Sequence, residues 1–313
     1  MIVGEIRTGL VEARHPVTVA AVDGHGRVVA TIGSDLDRQF YFRSAAKPFQ
    51  ARISQDRGAS LAPEQLAVAC ASHGGQPVHI AYVAQMLADV GLDAGALACP
   101  PALPRSESAR LRLAARDGAP RSILHNCSGK HAAMLRACVA SGWPAAGYTD
   151  PGHPLQRENA AYLEEVAGER VTPVGVDGCG VPAFRGTVPG LARAFARLST
   201  DPHLAEVADA MYRFGSLTSD GDLPGGMLAR WAGGPAKGGA RGCLGLAWHG
   251  GVGIAAKCWS GELAVAAIGV IEMCERLGIL SAHPRAMLQG LARPVVLGGG
   301  VPVGELAPLA GSD

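Results

Sequence analysis

Phe42-Arg43-Ser44-Ala45-Ala46-Lys47-Pro48-Phe49-Gln50 is the stretch on which the reading of this chain turns. It predicts a helix over residues 44–53. A Ser-x-x-Lys at a helix start puts both side chains on one face, because residues three apart are neighbours. Pro48 suits the first turn, where backbone N–H groups have no intrahelical partner. A neutral Lys47 amine beside the Ser44 hydroxyl can take its proton, and a helix N-terminus stabilises developing negative charge. The same spacing also describes a capping Ser followed by a solvated Lys, so the motif needs company elsewhere in the chain.

Upstream of it the pattern is extended. Residues 2–10 mix apolar and polar side chains, 16–22 are rich in Val and Thr, and 27–32 resume after Asp23-Gly24-His25-Gly26. Two β-branched runs about a Gly-containing turn predict a hairpin. Downstream, helical spacing predicts elements over 63–71, 77–90, 107–115, 128–141 and 154–167. A strand is expected at 171–176, then helices at 189–198, 203–214 and 223–231. Two strands follow at 242–248 and 251–259, joined at His249-Gly250, then a helix at 263–277 and a short strand near 294–297. Strands at both ends of the chain with helices between them predict a mixed α/β (α+β) fold. The antiparallel-rich sheet comes from both chain ends and is flanked by helices. The expectation is one unit over residues 1–313, with a mainly helical subdomain at about 58–170.

Composition narrows the class. The 313 residues carry 28 Lys and Arg against 27 Asp and Glu, so net charge gives no reason to expect a nucleic-acid partner. Charged residues at 18% beside 48% hydrophobic ones exclude a disordered chain. The longest apolar run, residues 263–271, is too short to span a bilayer, which needs about 20 apolar residues. No apolar signal-peptide segment follows Met1, so a cytoplasmic location is expected. The eight cysteines show no disulfide framework and are expected as thiols, a few of them ligands.

Four further segments carry chemistry. Cys70-Ala71-Ser72-His73-Gly74-Gly75 places a second hydroxyl at a helix end, in what is otherwise ordinary turn punctuation. Asn126-Cys127-Ser128-Gly129-Lys130-His131 opens a helix with Ser128 as the expected N-cap. Lys130 in a first turn opposes the helix dipole, so a metal or a bound carboxylate is expected to compensate. Gly175-Val176-Asp177-Gly178-Cys179-Gly180-Val181-Pro182 brings an acid and a thiol to a turn. Cys127 and Cys179 can share zinc if the fold unites them; otherwise each is a small buried hydrophobe. Lys257 ends an apolar strand, either as a base whose pKa burial lowers or as a chain reaching to solvent.

Together these segments resemble the rhizobial-type L-asparaginases, which are related in fold to serine β-lactamases, penicillin-binding proteins and glutaminases. The resemblance runs through residues 42–50, 70–75, 92–101, 125–132, Gly142-Trp143-Pro144, His153-Pro154-Leu155-Gln156, residues 176–182 and Lys257. It implies hydrolysis of L-asparagine to L-aspartate and ammonia through two Ser-Lys pairs, Ser44 with Lys47 and Ser72 with Lys257. It also implies zinc held by Cys127, Lys130 and Cys179, and a homodimer. Arg43, His73, His131 and Asp177 are candidate substrate contacts. Two positions depart from the family pattern: Gln76 and Arg241 stand where an acid is usual, the latter within Lys237-Gly238-Gly239-Ala240-Arg241-Gly242. The alternatives are a related hydrolase of glutamine or a lactam, and a zinc-binding protein that senses asparagine without consuming it.

Overall fold

The computed structural model describes residues 1–219 and 223–311. Its strands are β1 (Ile2–Arg7), β2 (Leu10–Asp23), β3 (Val28–Ile32), β4 (Phe40–Tyr41), β5 (Gly175–Val176), β6 (Pro182–Ala183), β7 (Arg185–Gly186), β8 (Ala236–Gly239), β9 (Cys243–Trp248), β10 (Val252–Cys258), β11 (Val295–Gly298) and β12 (Val301–Pro308). The helices are α1 (Lys47–Asp56), α2 (Pro63–Cys70), α3 (Pro77–Ala88), α4 (Glu107–Ala114), α5 (Ser128–Ala140), α6 (Pro154–Ala167), α7 (Val188–Thr200), α8 (Ala205–Arg213), α9 (Gly215–Thr218), α10 (Pro224–Trp231), α11 (Leu263–Arg276), α12 (Ala282–Met287) and α13 (Gln289–Ala292).

The main sheet runs β11-β12-β1-β2-β10-β9-β8, with β3 beside β2, and every pairing is antiparallel. The expected class, an α+β fold whose sheet draws strands from both chain ends, is the one observed. Strand β2 organises it. Residues 10–16 pair with β1, and residues 17–23 pair with β10. The first half alternates exposed and half-buried residues, whereas residues 17–22 are buried throughout. That change marks where helices cover both faces of the sheet.

Alternation divides the buried half between two cores. Ala20, Val22 and Ala255 face α7 and the helical region, whereas Val19, Ala21, Ile254 and Ala256 face α11. Helix α7 lies close because the strands beneath it carry glycine: a Cβ on Gly253 would stand 2.1 Å from the Ala192 carbonyl oxygen, and one on Gly245 2.2 Å from the Phe195 ring. Residues 58–170 contain α2 to α6 and, among the described residues, no strand beyond an isolated bridge between Ala102 and Arg121. Their core is continuous with the α7 face of the sheet.

Several expectations are corrected. The helix expected from Ser44 begins as a 3-10 turn over Arg43–Ala46 and becomes α-helical at Lys47. The expected strand at 171–176 shrinks to the two residues of β5. Strand β12 and the short β8 were not legible, because Ala-Lys-Gly-Gly and a Gly- and Pro-broken tail have low β-propensity.

Candidate active site

The site forms where the sheet edge meets the helical region. Strand β8 lies against the 3-10 turn, with Gly239 so near that an added Cβ would stand 2.7 Å from the Phe42 carbonyl oxygen. The Cys243 thiol also donates to that oxygen at 3.1 Å. Arg43 holds a left-handed φ of 51°, which only a constrained non-glycine residue adopts. Its guanidinium reaches Asp177 Oδ1 from Nε at 2.9 Å and from the terminal nitrogen at 2.8 Å. Arg43 and Asp177, expected as substrate contacts, are thus paired with each other. The pair ties the residue-177 turn to the residue immediately before Ser44.

Helix α2 ends at Cys70, and the chain leaves it extended at Ala71, which delivers Ser72. The buried Lys47 amine donates to the Ala71 carbonyl oxygen and, at 3.1 Å, to Ser72 Oγ. From the opposite side Lys237 Nζ lies 3.1 Å from Ser72 Oγ and donates to the Gly238 carbonyl oxygen at 2.8 Å. Burial, reinforced by the nearby Lys47, lowers the Lys237 pKa to about 7. Ser44 and Ser72 face a cavity of about 390 Å³ lined also by Arg105, Asn126, Lys237 and Arg241.

Both expected pairs are rearranged by this geometry: Lys47, expected as the partner of Ser44, bonds the Ala71 carbonyl oxygen and Ser72 Oγ instead. Ser72 meets Lys237, and Lys257 Nζ instead donates to the carbonyl oxygens of Arg241, at 2.7 Å, and Cys258. Its ammonium also lies 5.1 Å from the Trp259 ring centroid. Lys237 stands within a Gly-rich segment of the sequence and carries no expected role there. The signal that could have found it was a lysine at the start of a run of small residues, which lets a strand edge approach another backbone closely.

The two candidate histidines lie deeper in the fold. His73 is buried, with Nδ1 accepting from the Gly75 N–H at 3.2 Å and Nε2 lying 3.0 Å from Ser128 Oγ. Ser128 Oγ donates onward to the Ile123 carbonyl oxygen at 2.9 Å, so it braces a loop and Cys127 occupies the N-cap position. Burial lowers the His73 pKa to about 3, which keeps the ring neutral. His131 is buried with Nδ1 2.6 Å from the Tyr148 hydroxyl, and neither histidine lines the cavity.

Cys127, Lys130 and Cys179 do come together. Lys130 Nζ donates to Cys179 Sγ at 3.4 Å, and hydrogen bonding from Cys179 holds Cys127 well below the usual thiol range. Burial would lower the Lys130 pKa, yet Cys179, Cys127 and Asp177 together raise it. Two thiols and a carboxylate of the chain itself therefore stand beside this first-turn lysine. Among the described residues no group of three or more His, Cys, Asp or Glu is arranged to hold a metal, since the third donor here is an amine.

This arrangement of serines and lysines has a family. The L-asparaginase II family model matches residues 3–308. The chain belongs to the L-asparaginase II family. Membership places it among amidohydrolases. Solved structures of Mglu add a likeness of fold. Mglu in its native form aligns over 90% of this chain and 70% of its own, at 17% identity and a TM-score of 0.50. Mglu in its tris and glutamate form aligns over 90% and 64%, at the same identity and score. A beta-lactamase from Mycobacterium bovis aligns over 88% and 95%, at 17% identity and a TM-score of 0.42. Comparison with curated proteins found no match. No helix among the described residues is long and apolar enough to cross a membrane.

Proposed function

We propose that this family member hydrolyses L-asparagine to L-aspartate and ammonia through an acyl-enzyme on Ser44. The observation that carries the reading is Ser72 Oγ held between two buried amines, Lys47 and Lys237, at 3.1 Å from each. Two ammonium groups sharing one hydroxyl repel, so one amine is neutral at working pH. Lys237 is the neutral one, its pKa lying near 7. Lys47 then donates to Ser72 Oγ, and the Ser72 hydroxyl donates into the Lys237 lone pair.

Ser44 attacks the side-chain carboxamide carbon. Its proton passes to the lysine–serine relay, which returns one to the departing ammonia. The same relay then takes a proton from the water that cleaves the acyl-enzyme and returns it to the departing Ser44 Oγ. The Ser44 backbone N–H donates to the developing oxyanion, an interaction worth ~3 kcal/mol in comparable sites. The adjacent, buried thiols of Cys127 and Cys179 suit zinc, the first already favouring the thiolate, and Lys130 would join them as a third ligand on losing its proton. Zinc bound there would supply a fixed positive centre that orders the turn carrying Asp177.

The test is ammonia release from L-asparagine and from a panel of glutamine, lactams and small amides. Ser44→Ala and Lys237→Met are expected to lower asparagine turnover by ~10³-fold or more while the fold survives. Preference for glutamine or a lactam would reassign the substrate. Asparagine binding without ammonia would reassign the protein as a sensor. Elemental analysis of the purified protein and of Cys127→Ser reads the metal directly, and metal-free wild type after zinc-replete growth would remove zinc from the reading.

A further inference from the structure

We propose that Arg105 and Arg241 form a carboxylate clamp at the active-site cavity. It restricts the enzyme to small amides that carry a carboxylate beside the scissile group. The inference rests on the hydrolytic reading above and adds the recognition chemistry to it.

Both guanidinium-bearing residues line the cavity that Ser44 and Ser72 face. They come from separate parts of the fold, Arg105 ahead of α4 and Arg241 in the turn between β8 and β9. Both are exposed, and among the described residues neither side chain has an ion-pair or hydrogen-bond partner. Arg43 makes the contrast, since its guanidinium is engaged on both nitrogens by Asp177. Two free planar forks at one cavity suit a carboxylate, which arginine binds in a bidentate manner.

The placement of Arg241 is built into the fold. Its backbone is left-handed at φ 63°, followed by Gly242 at φ 69°. That conformation is unfavourable for a side chain with a Cβ and persists only when its surroundings fix it. Here the buried Lys257 fixes it by donating to the Arg241 carbonyl oxygen at 2.7 Å. Lys257 is in turn held by the Cys258 carbonyl oxygen and the Trp259 ring. A buried lysine thus holds the turn that carries Arg241 at the cavity.

The experiment compares L-asparagine with β-alaninamide, which is asparagine without its α-carboxylate. Wild type is expected to favour asparagine in kcat/KM by ~100-fold, about tenfold from each of two charge-assisted contacts. Arg241→Gln and Arg105→Gln are each expected to lower kcat/KM for asparagine by ~10-fold, mainly through KM, and to leave β-alaninamide unchanged. Equal losses on both substrates, or no loss on asparagine, overturn the clamp. If wild type releases ammonia from neither amide, the hydrolytic reading fails, and calorimetry decides the clamp separately. Wild type should bind L-aspartate at least ~10-fold tighter than β-alanine, and Arg105→Gln combined with Arg241→Gln should erase the difference. Equal affinities, or no binding of L-aspartate, overturn it.

Discussion

Lys237 and Lys257 are both buried lysines of one sheet, on the edge strand β8 and the inner strand β10, yet their surroundings give them different chemistry. The Lys237 amine sits 3.1 Å from a serine hydroxyl and has a pKa near 7. Asparagine turnover should therefore rise as pH climbs through about 7, where Lys237 loses its proton, and a kcat/KM profile reads that limb directly. Lys237→Arg should abolish turnover, because a guanidinium stays charged and cannot accept the proton. Lys237→Met should also lose activity yet gain thermal stability at pH 7. The sign follows from linkage: the folded pKa lies below the unfolded one, so the penalty for burying the amine is full below pH 7 and is relieved as pH rises from 7 towards 10.5. A scanning calorimeter showing a lower melting temperature for Lys237→Met would contradict this. Lys257 has no hydroxyl to activate, and Lys257→Met should raise KM without moving the pH limb. Asp177 acts one step further out. Asp177→Asn keeps its shape but weakens the bond to Arg43, and it should lower kcat more than tenfold by loosening the turn that carries Ser44.

At the scale of elements, the sequence was most legible where periodicity is strong. Helices α2, α3, α5 and α6 fall within a few residues of the spacing-based expectation, because apolar side chains recur on one face and proline marks three of the four starts. The β2–β3 hairpin was legible for the same kind of reason. Strand β8 was not, since Lys237-Gly238-Gly239 carries no alternation and its strand character comes from pairing with β9. The site inherits that gap: Ser44, Lys47 and Ser72 could be placed from local motifs, whereas the partner of Ser72 depended on which strand forms the sheet edge. Arg105 lies in an irregular loop and gave no local signal. Packing at α7 supplies a sharp test of element geometry. Gly253→Ala would drive a methyl into the backbone of residues 192–196, at 2.1 Å from both the Ala192 carbonyl oxygen and the Ala196 nitrogen. Neither atom is a flexible side-chain end, so the cost should reach about 2 kcal/mol or more in urea unfolding. The specific activity of the folded fraction should be little changed.

Across the whole molecule, the groups proposed for catalysis are divided between two regions that must keep their relation to within a hydrogen-bond length. Ser72 and Lys47 belong to the helical side, and Lys237 belongs to the sheet edge. What holds the two together is the larger hydrophobic core, which runs without a break from Ala20, Val22 and Ala255 of the sheet through α7 to Phe49, Leu66, Met134 and Leu135 of the helical region. No exposed linker separates them among the described residues, and Phe49 and Phe195 join α1 to α7 edge to face at 5.9 Å. A core shared in this way makes the helical region unable to open alone without exposing the α7 face of the sheet. Urea titration should therefore give coincident midpoints for asparagine turnover, tryptophan fluorescence and far-ultraviolet circular dichroism, even though chains of this length often unfold through intermediates. Loss of turnover well before the spectroscopic transitions would show that the helical region detaches first, and that the Ser72–Lys237 contact is held by a weaker seam than the core suggests. Phe195→Ala sharpens the comparison. It removes the ring shared by α1, α7 and Gly245, should cost about 3–5 kcal/mol, and should shift all three transitions by the same amount if one core governs both regions.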